Sequence, residues 1–251
     1  MFGKIKKTLL NLIPLTSVRR RWRSQYLCPN ERQLGEVLTD KITELAKMSG
    51  SMCPVSNDET HDRGYILDYV ARSLEYMKGD ILEFYGTKTY RDTYASADRK
   101  FYTITSFDYK KRLGNVADFY CDFEDENTLP GEKFDCILAT QTLCYAVDIV
   151  QVLRNLKKML RGGGRLIITV PGSWGYHIEG SPITYGFSVH ALKMLGEKVF
   201  GEKNIEDIKA YGNLKHLFIS AFGMSNKYDE KDQYESKYLA IIGARFRNEQ
   251  D

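Results

Sequence analysis

The sequence predicts an α/β fold, and residues 134–172 carry three observations that predict it. A short apolar run, FDCILAT at 134–140, has strand length. From Tyr145 onward Val147, Val150, Leu153, Leu156 and Leu160 recur at helical spacing. Gly162, Gly163 and Gly164 follow and are expected to stop that helix by adopting positive backbone angles. The next run, 165–170, is rich in Ile and Val and ends at Pro171, as a strand buried on both faces does. A β-α-β order with a short turn implies parallel strands joined by a right-handed crossover. Ligands bind at the carboxyl ends of such strands.

The other elements follow in chain order. Residues 1–23 hold Lys4, Lys6, Lys7, Arg19, Arg20, Arg21 and Arg23, with no acid before Glu31. Phe2, Ile5, Leu9, Leu12 and Ile13 can share one side of a short helix that Pro14 ends. Such a helix is suited to an anionic membrane surface, with its lysines at the headgroups. The alternative is a basic helix packed on the domain, or a frayed tail. The apolar run is too short to span a bilayer, and arginines stand where a secretory cleavage site would lie. A second helix is expected over 31–48, with Leu34, Val37, Leu38, Ile42 and Leu45 on one side. Ser49, Gly50 and Ser51 break it, and 54–60 forms a polar linker. A third helix, 62–77, places Ile66, Tyr69, Val70 and Leu74 on one face. Strands are expected at 81–84, 101–105 and 116–120, before the 134–140 strand. After Pro171 comes a loop, GSWGYHIEGSPITYGF, followed by a helix to residue 199 with Ser188 as N-cap. A sixth strand is expected at 205–211, an apolar helix or lid at 212–224, a charged loop at 228–237 and a last strand at 238–246. This gives two parts: a basic helical extension, 1–60, and an α/β domain, 61–251.

Composition narrows the function classes. A chain of 251 residues with 43% hydrophobic content can build one sizeable core with extensions. A net charge of +3 is too small to make nucleic acid the main partner. Cys28, Cys53, Cys121, Cys136 and Cys144 are odd in number and lack metal-ligand spacing, so no metal is expected. A reducing, cytoplasmic setting is the simplest expectation, with peripheral contact at the inner membrane face if the basic segment engages lipid.

FDCILATQTL, the helix after it, LRGGG, the hydrophobic strand and VPG together resemble the second half of a class I S-adenosylmethionine-dependent methyltransferase. HDRGYILDYV, KGDILEF and AYGN extend the likeness over about 60–245. It is narrowest to a methyltransferase type 11-like bacterial subgroup found near glycan-assembly genes. The resemblance implies a Rossmann-like methyltransferase fold: seven strands, mostly parallel, helices on both faces, the last strand antiparallel between the fifth and sixth. It implies S-adenosylmethionine as cofactor. Glu83 matches the acid that ends the first strand. The three glycines expected after it fall at Tyr85, Thr87 and Thr89, and Gly86 alone supplies a glycine, one position displaced. Glycine lets a ligand approach the backbone closely, so this cofactor turn is degenerate, although the subgroup itself uses a less glycine-rich turn with a Thr-Tyr pair.

Ser106 stands where an acid usually holds the ribose hydroxyls, with Asp108 two residues later as a substitute or a solvated loop residue. Asp122 matches the contact to the adenine amino group; read on its own, it is equally a surface turn acid. Thr140 and Gln141 complete the implied cofactor set with Glu83, Tyr85, Gly86, Ser106 and Asp122. Gln141 and Thr142 follow the strand that lines the methyl-transfer site, or cap the next helix. Thr142, Tyr145, Trp174, Tyr176 and Tyr185 are the acceptor-binding candidates, the last three from the loop after the fifth strand. His177 in that loop is suited to general-base work by a pKa near neutrality; the bland reading is a solvent-facing side chain. Tyr65, Tyr69, His61 and Arg63 are pocket candidates from the helix before the first strand. In the subgroup a Trp-Arg-Phe-Thr run stands where this chain has Tyr185, Gly186, Phe187 and Ser188.

Three functions fit. One is methyl transfer to a hydroxyl or amine of a small molecule or glycan intermediate. Another is a fold that binds no cofactor and scaffolds a membrane-associated biosynthetic complex. The third, a dinucleotide-dependent oxidoreductase, lacks its Gly-x-Gly-x-x-Gly turn.

Overall fold

Strand periodicity sorts the apolar side chains onto two faces of one sheet, and the helices cover those faces. A computed structural model describes residues 61–84, 90–172, 185–212 and 239–249, all within the unit Pro54–Asp251. The strands are β1 (Gly79–Phe84), β2 (Arg99–Ser106), β3 (Phe119–Cys121), β4 (Phe134–Thr140), β5 (Leu160–Pro171), β6 (Ile205–Tyr211) and β7 (Ile241–Arg247). They form one seven-stranded sheet in the order β3-β2-β1-β4-β5-β7-β6. β1 to β5 pair in parallel, and β7 runs antiparallel to both β5 and β6. This is the Rossmann-like methyltransferase topology, with its antiparallel strand inserted between the fifth and sixth.

The helices are α1 (His61–Arg72), α2 (Arg91–Tyr94), α3 (Phe107–Leu113), α4 (Ile149–Met159) and α5 (Val189–Phe200). On one face Ile81, Phe101, Leu138 and Ile167 bury against Tyr65, Ile66, Tyr69 and Val70 of α1. On the other, Leu82, Ile137, Ile168 and Phe246 bury against Leu153 and Leu156 of α4 and Leu192 of α5. Each such side chain contributes about 1.5–3 kcal/mol by leaving water. Gly243 of β7 lies against the Tyr69 ring, and a Cβ there would stand 2.4 Å from the ring's Cγ. That contact seats α1 on the sheet. Tyr65 and Tyr69 are therefore core residues, not pocket walls. Beside it, on the edge strand β6, Glu206 accepts from Arg165 and Arg245 at 2.9 Å each. The Arg245 guanidinium lies 3.7 Å from the centroid of the Tyr76 ring.

Several boundaries differ from expectation, each for a local reason. α1 stops at Arg72; Ser73 donates to Tyr69 and Val70 carbonyls at 3.2 and 3.0 Å, and a 3-10 turn, Leu74–Tyr76, follows. β3 is only Phe119–Cys121, because the Val116 and Ala117 amides donate to the Tyr120 hydroxyl at 2.6 and 2.8 Å instead of to a neighbouring strand. Asp108 belongs to α3 rather than a loop, and it is exposed and paired with Lys111. α4 begins at Ile149, not Tyr145: the Asp148 carboxylate caps it by accepting from the Gln151 amide at 3.0 Å. Val147 lies outside the helix and is 74% exposed.

The glycine run does not stop α4. The helix ends at Met159, and Leu160 already pairs with Phe134. The register then jumps to Cys136↔Arg165, so residues 161–164 form a bulge within β5. Gly163 has φ +77°, and a Cβ on Gly164 would stand 2.9–3.2 Å from three carbonyl oxygens. Asn248 closes the bulge by pairing with Gly163 and Gly164, each at 2.8 Å. The Ser188 cap is present, its hydroxyl accepting from Ala191 at 3.1 Å. The expected elements at 1–60, 213–224 and 228–237 lie outside the described residues. Among the described residues no helix is long and apolar enough to cross a membrane.

Candidate functional site

The chain leaves β1 toward β2 on one side and reaches β4 on the other, so the strand order reverses between β1 and β4. A crevice at the carboxyl ends of the strands belongs at that point. Glu83, Ser106, Asp122, Thr140 and Gln141 all stand at those ends.

Glu83 is 1% exposed and accepts from the Tyr90 amide through Oε2 at 2.7 Å. Its Oε1 is buried and has no partner among the described residues. Burial pushes this carboxyl above the ordinary range, and the amides of Tyr90 and Arg91 offset only part of the effect. Glu83 thus holds the start of α2, a single turn of four residues.

Tyr90 was not among the predicted site residues, yet it joins α1 to the end of β4. It is buried, and its hydroxyl donates to Thr140 Oγ1 at 3.3 Å while accepting from Arg63 Nη1 at 3.4 Å. The Arg63 guanidinium lies 5.5 Å from its ring centroid, and Tyr94 stacks on it at 6.4 Å with the planes 9° apart. The signal in the sequence was its position, the last residue of a stretch that lacks the usual glycines. The next residue, Arg91, donates to the Phe101 carbonyl and Asp118 at 3.0 Å each. Asp118 also accepts from the Thr103 amide and hydroxyl at 2.7 and 3.0 Å. Burial raises the Asp118 carboxyl, but these donors outweigh it and hold the group below the usual range.

Gln141 is the one non-glycine with positive φ among the described residues, at +52°. Its amide donates to the Thr169 carbonyl at 2.7 Å and its side chain to Thr169 Oγ1 at 3.3 Å. Such a conformation costs about 1–3 kcal/mol and persists only where neighbours enforce it. It turns the chain sharply off β4, and the Thr142 hydroxyl donates back to the Thr140 carbonyl at 3.1 Å. Ser106 is half-buried beside Cys121 in the β2–β3 ladder. Asp122 is exposed, with Oδ1 accepting from the Glu124 amide at 2.9 Å.

Tyr145, Val147 and Tyr185 form an exposed apolar rim after β4. The Tyr185 amide donates to the Cys144 carbonyl and its hydroxyl to the Val147 carbonyl, both at 3.2 Å. Tyr85, Gly86, Trp174, Tyr176 and His177 lie outside the described residues. Cys121, Cys136 and Cys144 are buried, and burial pushes their thiols up to about 12, 12 and 11, which leaves them without nucleophilic thiolate near neutrality. A groove of about 710 Å³ lined by Lys133, Arg154, Lys157 and Lys158 is remote from these strand ends. Its lysines are engaged by the Lys158 and Val199 carbonyls and Glu126.

Residues 86–168 match the family model described as a methyltransferase domain. The match starts two residues after the end of β1 and ends within β5. No curated protein sequence matches the chain. Among solved structures, the [4+2]-cyclase SpnF has a TM-score of 0.50 at 15% identity, over 85% of this chain and 94% of its own. The N-methyltransferase NodS from Bradyrhizobium japonicum WM9 has a TM-score of 0.48 at 17% identity, over 78% of this chain and 99% of its own. A second NodS structure, in complex with S-adenosyl-L-homocysteine, has a TM-score of 0.46 at 15% identity, over 83% of this chain and 98% of its own. At 15% identity the SpnF match speaks to fold alone.

Proposed function

We propose that this chain is an S-adenosylmethionine-dependent methyltransferase acting on a hydroxyl or amine of a small molecule or glycan intermediate. The observation that carries the reading is the methyltransferase-domain match over 86–168, whose strand ends bear Ser106, Asp122, Thr140 and Gln141. The donor set fits the cofactor. Asp122 offers an exposed carboxylate for an adenine amino group, and Ser106 a hydroxyl for the ribose. Glu83, near the end of β1, has a buried oxygen without a partner among the described residues. The cofactor supplies an electrophilic methyl group on its sulfonium. The chain's own contribution is alignment and exclusion of water. The Gln141 turn fixes the chain at the end of β4, and Tyr145, Val147 and Tyr185 offer an apolar rim for the acceptor. His177 is the proposed base for an acceptor hydroxyl. A cytoplasmic setting with residues 1–23 on an anionic membrane surface suits a glycan-intermediate acceptor.

A second reading, a scaffold that binds no cofactor, is favoured by one observation. Tyr90 is buried against Thr140 at the end of β4, just after a stretch in which Tyr85, Thr87 and Thr89 stand at the three glycine positions. Calorimetric titration of the full chain with S-adenosylmethionine and S-adenosyl-L-homocysteine separates the two. Micromolar binding that Asp122→Ala weakens supports the transferase. A folded protein that binds neither ligand supports the scaffold.

A further inference from the structure

We propose that the basic groove at the amino ends of the parallel strands binds a small molecule carrying a pyrophosphate or longer phosphate chain. Its volume of about 710 Å³ falls within the range of small-molecule sites, about 300–1,000 Å³. Lys133, Arg154, Lys157 and Lys158 line it, with Gly162 and Asn248 beside them. Leu153 and Leu156 turn one side of α4 into the core. Arg154, Lys157 and Lys158, at helical spacings of three and four, share the outer side, and no acid occurs from Arg154 to Arg161. Like charges at this spacing destabilise a helix. The stripe is thus a cost to the fold that a bound anion would relieve.

These cations are positioned more than they are neutralised. Lys133 donates to the Lys158 carbonyl. Lys157 donates to the Val199 carbonyl at 3.1 Å and lies 5.6 Å from the Phe200 ring centroid. The two carbonyls belong to the last turns of α4 and α5, whose negative ends favour cations. A carbonyl orients an ammonium without cancelling its charge, and each ammonium has three donors. Arg154 is exposed, and no ion pair among the described residues involves it. Lys158 pairs with Glu126. With Glu249 also in the lining, an excess of two positive charges faces the groove. Neighbours on the stripe stand about 5–6 Å apart at Cβ, a spacing that a chain of phosphates bridges and a single phosphate does not. Lys133 precedes β4, Leu160 opens β5 and Asn248 follows β7. β4 is seven residues long, so about 20 Å separates the groove from the strand ends that carry Thr140 and Gln141. The site is therefore independent of the cofactor reading.

The test is calorimetry on the full chain with inorganic pyrophosphate, tripolyphosphate and orthophosphate as probes, at about 0.15 M ionic strength to screen loose surface attraction. Pyrophosphate and tripolyphosphate are expected to bind with dissociation constants below about 0.1 mM, at least about tenfold tighter than orthophosphate. Arg154→Gln should weaken pyrophosphate about tenfold, the scale of a charge-assisted hydrogen bond, without lowering the melting temperature. Adding Lys133→Gln should weaken it further. Lys110→Gln, exposed on α3 and outside the groove, should leave binding unchanged. The inference falls if wild type does not bind pyrophosphate, or if Arg154→Gln binds it as wild type does. Equal weakening by Lys110→Gln would also overturn it, because the attraction would then belong to the whole surface. An oligouridylate that binds where pyrophosphate does not would overturn it in favour of a nucleic-acid surface.

Discussion

Two glutamates show how the same side chain acquires opposite behaviour from its surroundings. Glu206 is partly buried between two arginines; burial raises its carboxyl, but the hydrogen bonds from Arg165 and Arg245 prevail and hold it below the ordinary range. A depressed folded-state pKa stabilises the fold above the unfolded value of about 4.3, and that stability is lost as pH falls through the folded value. Glu206→Gln is therefore expected to cost about 1–3 kcal/mol at pH 7, because it leaves the buried Arg245 without its anion. Urea unfolding should show the gap from wild type closing as pH drops below about 4. Glu83 behaves in reverse. Its raised pKa means that the folded state prefers the protonated form, so wild type loses stability as pH rises through the folded value. The stability of Glu83→Gln relative to wild type should rise between acidic and neutral pH; a flat difference would show that Glu83 is not strained by its charge. At this scale the sequence marks Glu83 and Asp122 as strand-end acids. It does not mark Tyr90, whose importance comes from Thr140 and Arg63, 50 and 27 residues away.

Between elements, the critical contact is the flat approach of α1 to β7. Gly243→Ala would drive a methyl group into the Tyr69 ring, and overpacking of this kind costs about 1–3 kcal/mol. A lowered melting temperature is expected, with partial recovery when Tyr69→Leu is added; recovery would be absent if the glycine served only the β7 backbone. Element existence was legible: β4 lies where its apolar run placed it, β6 covers the expected 205–211, and Ser188 caps its helix. Boundaries were less so. Val147 and Leu160 fit a helical stripe by spacing, but the Asp148 cap starts α4 after the first and pairing with Phe134 takes the second into β5. The glycine triplet reads as a helix stop, and only the strand register shows it to be a bulge that Asn248 closes from the far end of the chain.

For the whole molecule, a ligand that binds the folded state alone stabilises it by mass action. At a hundredfold excess over its dissociation constant, S-adenosyl-L-homocysteine should add about 2.7 kcal/mol. For a domain of this size that is a rise of about 5–10 °C in melting temperature. An unchanged melt at saturating concentration would favour the scaffold reading. The sequence by itself determined the α/β class, the succession of strands and helices, and the likeness that located the antiparallel strand. These follow from local periodicity and from motifs that are contiguous along the chain. Tertiary structure alone decided what meets at the strand ends: the Glu83–Tyr90–Thr140 bridge, the Arg63 guanidinium on the Tyr90 hydroxyl, and the forced Gln141 turn. Each of these joins residues from strands and helices separated in the chain. Their contacts depend on which strands become neighbours and on how closely α1 can approach the sheet.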